Sequence, residues 1–360
     1  MPPLIGWYDP APRGGYLRLA AHSYLPAPGD PTVRLPGLRR GDRVTLADGR
    51  VSAVNDGPLP GLAERPEFAR LGAVHPSRPL TLETPDASSP RAADIQRVVD
   101  LICPLGFGQR ALIVSPPKAG KTVVLQAVAE GVALNHPAAE LLLLLVDERP
   151  EEVSELTDWG RGEVIASSFD LPHERHVAVA EMVFEHARRQ VELGRDVVIV
   201  LDSLTRLARS HNTTGRSSRR TLSGGLDANA LAEPKALFGA ARAIPDGGSL
   251  TIIATALVET ESRMDDVIFE EFKGTGNAEL HLTRALADRR IYPAVDVAAS
   301  GTRREELLAD PATVAAWQAL RRGLVGLPPE QGMTALLTEL RRHKTNAELL
   351  RQFAPSTTRL

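Results

Sequence analysis

Five stretches of the chain, Ala111–Ser115, Leu141–Val146, Val164–Ser168, Val197–Leu201 and Leu250–Ala256, run apolar with no two-residue alternation. Such runs suit parallel strands covered on both faces. Between them, Thr122–Leu134, His176–Leu193 and Asn229–Ala243 carry helical periodicity, so the region predicts a doubly wound α/β domain with a mainly parallel sheet. The first quarter reads differently. Short strands are expected at Gly15–Ala21, Thr32–Leu35, Arg43–Leu46 and Arg50–Val54, separated by Pro28-Gly29-Asp30, Arg40-Gly41-Asp42 and Asp48-Gly49 turns. That pattern predicts a small β-barrel of the OB or cold-shock type over residues 1–55. A proline-rich linker, 56–94, should wrap a neighbouring surface before the α/β domain at 95–360.

Composition narrows the class. The 360 residues are 43% hydrophobic with a net charge of −3, which fits a globular protein and excludes a histone-like polyanion coat. The single Cys103 rules out a disulfide scaffold and a cysteine-ligated zinc site. No apolar run approaches the ~18 residues of a spanning helix, and the start has no leader pattern, so a cytoplasmic protein without membrane contact is expected. Among the 42 basic residues only Lys118, Lys121, Lys235, Lys273 and Lys344 are lysines. In so arginine-rich a chain, a lysine pair within four residues marks a place that needs a compact ammonium.

That pair lies in ALIVSPPKAGKT, residues 111–122, where an apolar strand runs into a loop ending Gly-Lys-Thr and then a helix. The arrangement is a P-loop in which Ser115 stands at the first glycine position. Gly120 lets backbone amides approach phosphate, Lys121 reaches the outer phosphates of ATP, and the Thr122 hydroxyl suits Mg²⁺. Val197–Leu201 ends in Asp202, a Walker B carboxylate expected beside the P-loop strand and holding Mg²⁺ through water; Leu141–Val146 runs into Asp147-Glu148-Arg149, with Glu148 the candidate for polarising an attacking water. Two basic, flexible segments follow, one with Arg216, Arg219 and Arg220, the other with Arg263 and Lys273. In the barrel, Trp7, Tyr8, Tyr16 and Tyr24 interleave with Arg13 and Arg18, as single-stranded nucleic acid binding requires, although Trp7 and Tyr24 are expected in the barrel core.

Together SPPKAGKT, VDERPEEV, VIVLDSLTRLAR, GGLDANAL, PKALFGAAR, GGSLTIIATALVET, EEFKGTGNAELHL and SGTRREELL resemble the transcription termination factor Rho family over roughly three quarters of the chain. The resemblance implies a RecA-like motor, an RNA-dependent ATPase and helicase assembled as a homohexamer, with single-stranded RNA and RNA polymerase or its elongation factors as partners. By position it implies ATP contacts from Gly106, Phe107, Gly108, Gln109, Arg110 and Ala111, and from Lys118, Ala119, Gly120, Lys121, Thr122 and Val123. It implies Glu148 as the catalytic carboxylate with Arg149 beside it, Tyr292 as the adenine-stacking ring and Arg303 as a finger given to a neighbour's site. Arg220 with Thr221, and Arg263, would lie in two RNA loops of the ring's channel; Tyr16 and Arg18 would belong to the barrel's RNA site. The departures are N-terminal. A helical subdomain usual in the family has no counterpart in the sequence. The RNA strand reads Gly14-Gly15-Tyr16-Leu17-Arg18 with one ring lost, Thr32 replaces a tyrosine, and the barrel is short around Gly49–Asp56. The expectation is an intact motor with a weakened RNA-capture site; the alternatives are a related RNA or single-stranded DNA motor outside termination, or a nucleotide-gated RNA binder without turnover.

Overall fold

The computed structural model describes residues 2–57, 64–215, 225–227 and 229–353 and contains two sheets. The first is an antiparallel half-barrel of β1 (Leu4–Ala11), β2 (Gly14–Arg18), β3 (Thr32–Val33), β4 (Arg43–Ala47) and β5 (Arg50–Val54), in the order β3-β2-β1-β4-β5. Its central strand, β1, is not anticipated by the periodicity, because Gly6, Asp9 and Pro10 break the alternation. Tertiary pairing on both sides overrides that weak local signal. Gly6 is needed there: a Cβ would stand 2.4 Å from the Arg18 carbonyl oxygen.

The α/β part begins with α1 (Pro90–Ile102), β6 (Arg110–Ser115), α2 (Lys121–Asn135), β7 (Glu140–Glu148) and α3 (Pro150–Trp159). It continues through β8 (Glu163–Ser168), α4 (His173–Glu192), β9 (Asp196–Asp202), α5 (Leu204–Thr214), α6 (Ala232–Gly239), β10 (Arg242–Ala243) and β11 (Ser249–Leu257). The chain then forms α7 (Arg263–Lys273), β12 (Ala278–His281), α8 (Arg284–Asp288), β13 (Gly301–Thr302) and the helices α9 (Pro311–Val325), α10 (Pro329–Arg342) and α11 (Asn346–Leu350). The strand order is β13-β12-β6-β11-β9-β7-β8, with β10 pairing β11; the six strands from β12 to β8 are parallel. Alternate residues of each apolar strand enter different cores. Leu143, Val198 and Val200 pack with α1, α2, α9 and α10, whereas Leu142, Leu144, Val197 and Ile199 pack with α4 and α5. Coverage of both faces is why those strands read as unbroken apolar runs.

Two expectations are corrected. The Asn229–Ala243 helix is shorter, ending at Gly239, and Arg242–Ala243 turn into a strand against β11. Asp202 does not sit beside the P-loop strand: β11 lies between β6 and β9. Side-chain oxygens set several helix starts, with Ser89, Ser203 and Asp310 accepting from the first turns of α1, α5 and α9.

Trp7 and Tyr24 are buried but not in the barrel's own core, which is Tyr8, Leu17, Val33, Val44, Leu46 and Val54. Trp7 stacks between Tyr24, 3.6 Å away, and His186 of α4, 4.1 Å away, so the rings fasten the barrel to the motor. His186 Nδ1 lies 2.8 Å from the Gly41 carbonyl, and a Cβ at Gly41, whose φ is +86°, would collide with the His186 backbone nitrogen at 2.4 Å. Residues between the two parts are tied down as well: Leu80 and Leu82 are fully buried, and the Leu82 amide donates to Asp100. Because Trp7 is a large side chain at 1% exposure, Trp7→Ala should lower unfolding free energy by ~3–5 kcal/mol. Urea denaturation checks this; an unshifted midpoint would show that the stack does not hold the barrel down.

Candidate active site

The C-terminal ends of β6, β7, β9 and β11 open onto one edge of the sheet, where ligands of open α/β sheets bind. β6 ends at Ser115, and the loop reaches α2 through Lys118 at φ +65° and Gly120 at φ +95°. Gly120 is the N-cap of α2 and supplies no side-chain acceptor, so the amides of the first turn face a cavity of about 340 Å³. Ser115, Lys118, Lys121, Thr122 and Leu257 line it. An uncapped helix start beneath such a cavity suits a phosphate.

Lys121 Nζ lies 3.1 Å from Glu148 Oε1 and also contacts Asp202 Oδ1. Thr255 of β11 donates to the same Asp202 oxygen at 2.7 Å, so the intervening strand contributes to the site it separates. Both carboxylates are buried. Burial, then the nearby charge of Asp202, push the Glu148 carboxyl up to about 7, against the pull of Lys121. Burial lowers the basicity of Lys121, but Asp202 and Glu148 outweigh it and hold the ammonium protonated. Asp202 Oδ2 and the Thr122 hydroxyl make no hydrogen bond among the described residues, which leaves oxygen ligands of the kind Mg²⁺ takes.

Arg206 was not singled out by sequence. It stands one turn into α5, whose Ser203 cap accepts from its amide at 3.2 Å. Its Nε approaches Glu148 Oε1, the oxygen that Lys121 also contacts, to 3.4 Å, and its Nη1 approaches Asp147 to 3.3 Å, so a second cation holds the carboxylate. The signal was present as the basic residue after the Asp-Ser-Leu-Thr strand end. Arg91 is a second addition: its guanidinium lies 4.9 Å from the centre of the Tyr292 ring. Tyr292 itself flanks the loop, 3.7 Å from a Cβ placed on Gly120. Ala119 is buried beneath the loop and Val123 is half-buried in α2.

Other expected contacts lie elsewhere. Gly106–Gln109 precede β6 and Arg110 begins it, about 15–20 Å of strand from the loop, so within one chain they do not reach it. The Gly108 amide donates to Thr251 at 2.8 Å, Gln109 is buried against Asn277, Arg110 donates to the carbonyls of Thr275 and Ala241, and Phe107 and Ala111 are buried. Arg149 is exposed at the start of α3. Arg303 is exposed after β13 and makes no ion pair among the described residues; Arg263 opens α7 in the same condition. Tyr16 is 38% exposed, but Arg18 is buried, paired at 2.7 Å with both Asp9 and Asp30. As an RNA-binding cation Arg18 is therefore corrected: its charge is already matched inside the half-barrel. Arg216, Arg219, Arg220 and Thr221 lie outside the described residues.

This geometry defines a P-loop ATPase of the RecA-like class, and residues 96–302 match the family described as ATP synthase alpha/beta family, nucleotide-binding domain. A prototypical ATPase from the type III secretion system of pathogenic bacteria shares the fold, with a TM-score of 0.61 at 21% identity over 80% of this chain and 84% of that one. At higher identity, transcription termination factor Rho of Gemmatimonas aurantiaca is 58% identical over 96% of this chain and 50% of its own length. The Streptomyces coelicolor Rho is 52% identical over 95% of this chain and 84% of its own length. The chain belongs to the transcription termination factor Rho family. It spans half the length of the Gemmatimonas relative.

A carboxyl raised from 4.5 to about 7 makes the folded protein bind more protons than the unfolded chain between those values. Ionising Glu148 therefore costs stability as pH rises through that window. Relative to the wild type, Glu148→Gln should grow more stable from pH 4.5 to 7 and then level off. Denaturation midpoints of both proteins across that range test it; a pH-independent difference would refute the raised carboxyl.

Proposed function

We propose that the chain is an ATP-driven RNA translocase and helicase that works as a homohexameric ring in the cytoplasm, binds nascent RNA and releases it from RNA polymerase. The observation that carries the reading is α5. One helix follows the Asp202 strand, sends Arg206 to Glu148, and sends Arg209 to Asp265 in the first turn of α7, where Arg209 Nε is 2.8 Å from the carboxylate. Asp265 is fully buried, so the joint is stiff. α7 begins with Arg263, the cation that the family places at RNA. A shift at the catalytic carboxylate is thus transmitted through one rigid element to an RNA loop.

In the reaction, Lys121 exchanges its carboxylate partners for the phosphates of ATP, with the α2 amides cradling the same oxygens. Freed from Lys121 and held by Arg206, Glu148 orients the attacking water and accepts its proton. Thr122 and Asp202 would hold Mg²⁺, which when bound neutralises phosphate charge. Tyr292 stacks on the base beside Gly120, with Arg91 behind it. Arg303, exposed and unpaired among the described residues, serves the site of the adjacent subunit. RNA capture falls mainly to the motor loops, because the half-barrel offers Tyr16 without a free Arg18.

Lys121→Ala should abolish tight ATP binding, whereas Glu148→Gln should bind ATP and lose ~10²–10⁴ in RNA-stimulated hydrolysis. Phosphate release and nucleotide binding measured side by side test the pair; near wild-type turnover by Glu148→Gln would remove it from the chemistry. Arg303→Ala should hydrolyse ~10³-fold more slowly, and regain activity when mixed with Lys121→Ala subunits. Absence of regain with confirmed subunit exchange would place Arg303 outside any neighbouring site.

A further inference from the structure

A cleft at the opposite ends of the parallel strands has no part in this chemistry. It lies among the loop between β3 and β4, the segment around Phe68, the last turns of α4 and the short strand β10, and has a volume of about 580 Å³. Arg39, Arg188, Arg189 and Arg242 face it, with Phe68 as its apolar wall. β10 pairs with the beginning of β11, at Arg242 and Leu250, so the cleft is a sheet's depth away from Lys121.

The carboxylates nearby do not balance these charges. Glu192 is buried and divided between Arg39 at 3.1 Å and Arg189 at 2.8 Å; Glu185 serves Arg188 and stands 3.8 Å from Arg189. Glu67 lies 3.2 Å from Arg70. Arg242 donates only to the Ala240 carbonyl and pairs with no carboxylate among the described residues. The buried Nε atoms of Arg188 and Arg189 have no partner. Most telling is one aromatic ring shared by two cations: Arg242 lies 4.9 Å and Arg188 5.8 Å from the Phe68 centroid. Burial, then the charge of Arg188, hold the Arg242 guanidinium below its ordinary range. Two guanidiniums that share one ring repel each other, and an anion bound by both would offset that repulsion.

We propose that this cleft is a phosphate site in which Arg188 and Arg242 grip the backbone of single-stranded RNA as it passes from the half-barrel to the motor. One wall of the cleft belongs to the half-barrel and the other to the motor, so a strand leaving the first for the second crosses it. The RNA source rests on the function proposed above; the phosphate chemistry does not, and a free phosphorylated small molecule would use the same guanidiniums.

The test is the double variant Arg188→Gln/Arg242→Gln in the full chain, with the exposed Arg70→Gln as control. Binding of a fluorescein-labelled oligouridylate is followed by anisotropy from 50 to 300 mM KCl, and melting temperature is followed with and without inorganic pyrophosphate in the presence of a saturating ATP analogue that keeps the P-loop occupied. Each lost phosphate contact should flatten the log–log salt slope by about 0.7, with ATP-analogue binding unchanged and Arg70→Gln like the wild type. If the RNA slope is unchanged but pyrophosphate no longer raises the melting temperature of the variant, the site takes a small phosphorylated ligand instead of RNA. If neither changes, the phosphate site is refuted. A wild type that binds no RNA would sink the proposed function alone, since the pyrophosphate arm still judges the cleft. Should the double variant fail to fold, Arg242→Gln carries the test, because its parent side chain makes a single hydrogen bond.

Discussion

The contact on which the rest of the active edge depends is one half-buried ammonium between two buried carboxylates. Lys121 opens α2 just after the loop from β6, Glu148 comes from the end of β7 and Asp202 from the end of β9, and β11 adds the Thr255 hydroxyl. Four strands are thereby tied together at their C-terminal ends. Without the lysine, two like charges would share a desolvated pocket, and losing one partner of a buried ionic cluster is costly. The same arrangement gives the site its capacity for change. In the proposed reaction phosphate competes for the lysine, whose departure would alter the field on Glu148 and leave it to Arg206.

That cluster can exist because the sheet beneath it is rigid. Both faces of the central strands are packed, with α1, α2, α9 and α10 on one side and α4 and α5 on the other. α5 is both part of the second core, through Leu204 and Leu207, and the carrier of Arg206 and Arg209. A helix packed so firmly moves as a body, which is what coupling between distant loops needs. On the opposite side the half-barrel is fastened by the Trp7–Tyr24–His186 stack and the close approach at Gly41. Its position relative to the motor is set by packing and not by a loose tether.

Arginine dominates the cations, yet the structure sorts them sharply by what each has beside it. Arg18, Arg65 and Arg209 are bound to aspartates, and Arg97 ties α1 to backbone carbonyls near α11. Arg242, Arg263 and Arg303 are among those that pair with no carboxylate among the described residues and so have charge to offer a ligand or a neighbour. Planar guanidiniums build the scaffold and its surfaces, whereas the point charge between the two carboxylates of the site is a lysine.

The P-loop, the strand-end carboxylates Asp202 and Glu148, and the parallel α/β class were legible in the sequence, because each depends on local pattern: an apolar run, a glycine at a tight turn, an acid where the run stops. Tyr292 beside the loop could be named only from the family resemblance, since nothing within its own neighbours points to Gly120. What stayed hidden was everything set by non-local pairing. Strand order placed β11 between β6 and β9, and two-sided pairing made a central strand of β1 despite Gly6 and Pro10. Direction along β6 put Gly106–Arg110 at the far end from the phosphate loop, although only a few residues separate them. Charge pairing across the half-barrel consumed Arg18, and packing against α4 turned Trp7 from barrel filling into a clamp. Local pattern was enough to name Lys121, Glu148 and Asp202 as candidates, whereas only the folded chain shows which side chains meet, because a strand pattern records how many faces are buried and not which neighbour buries them.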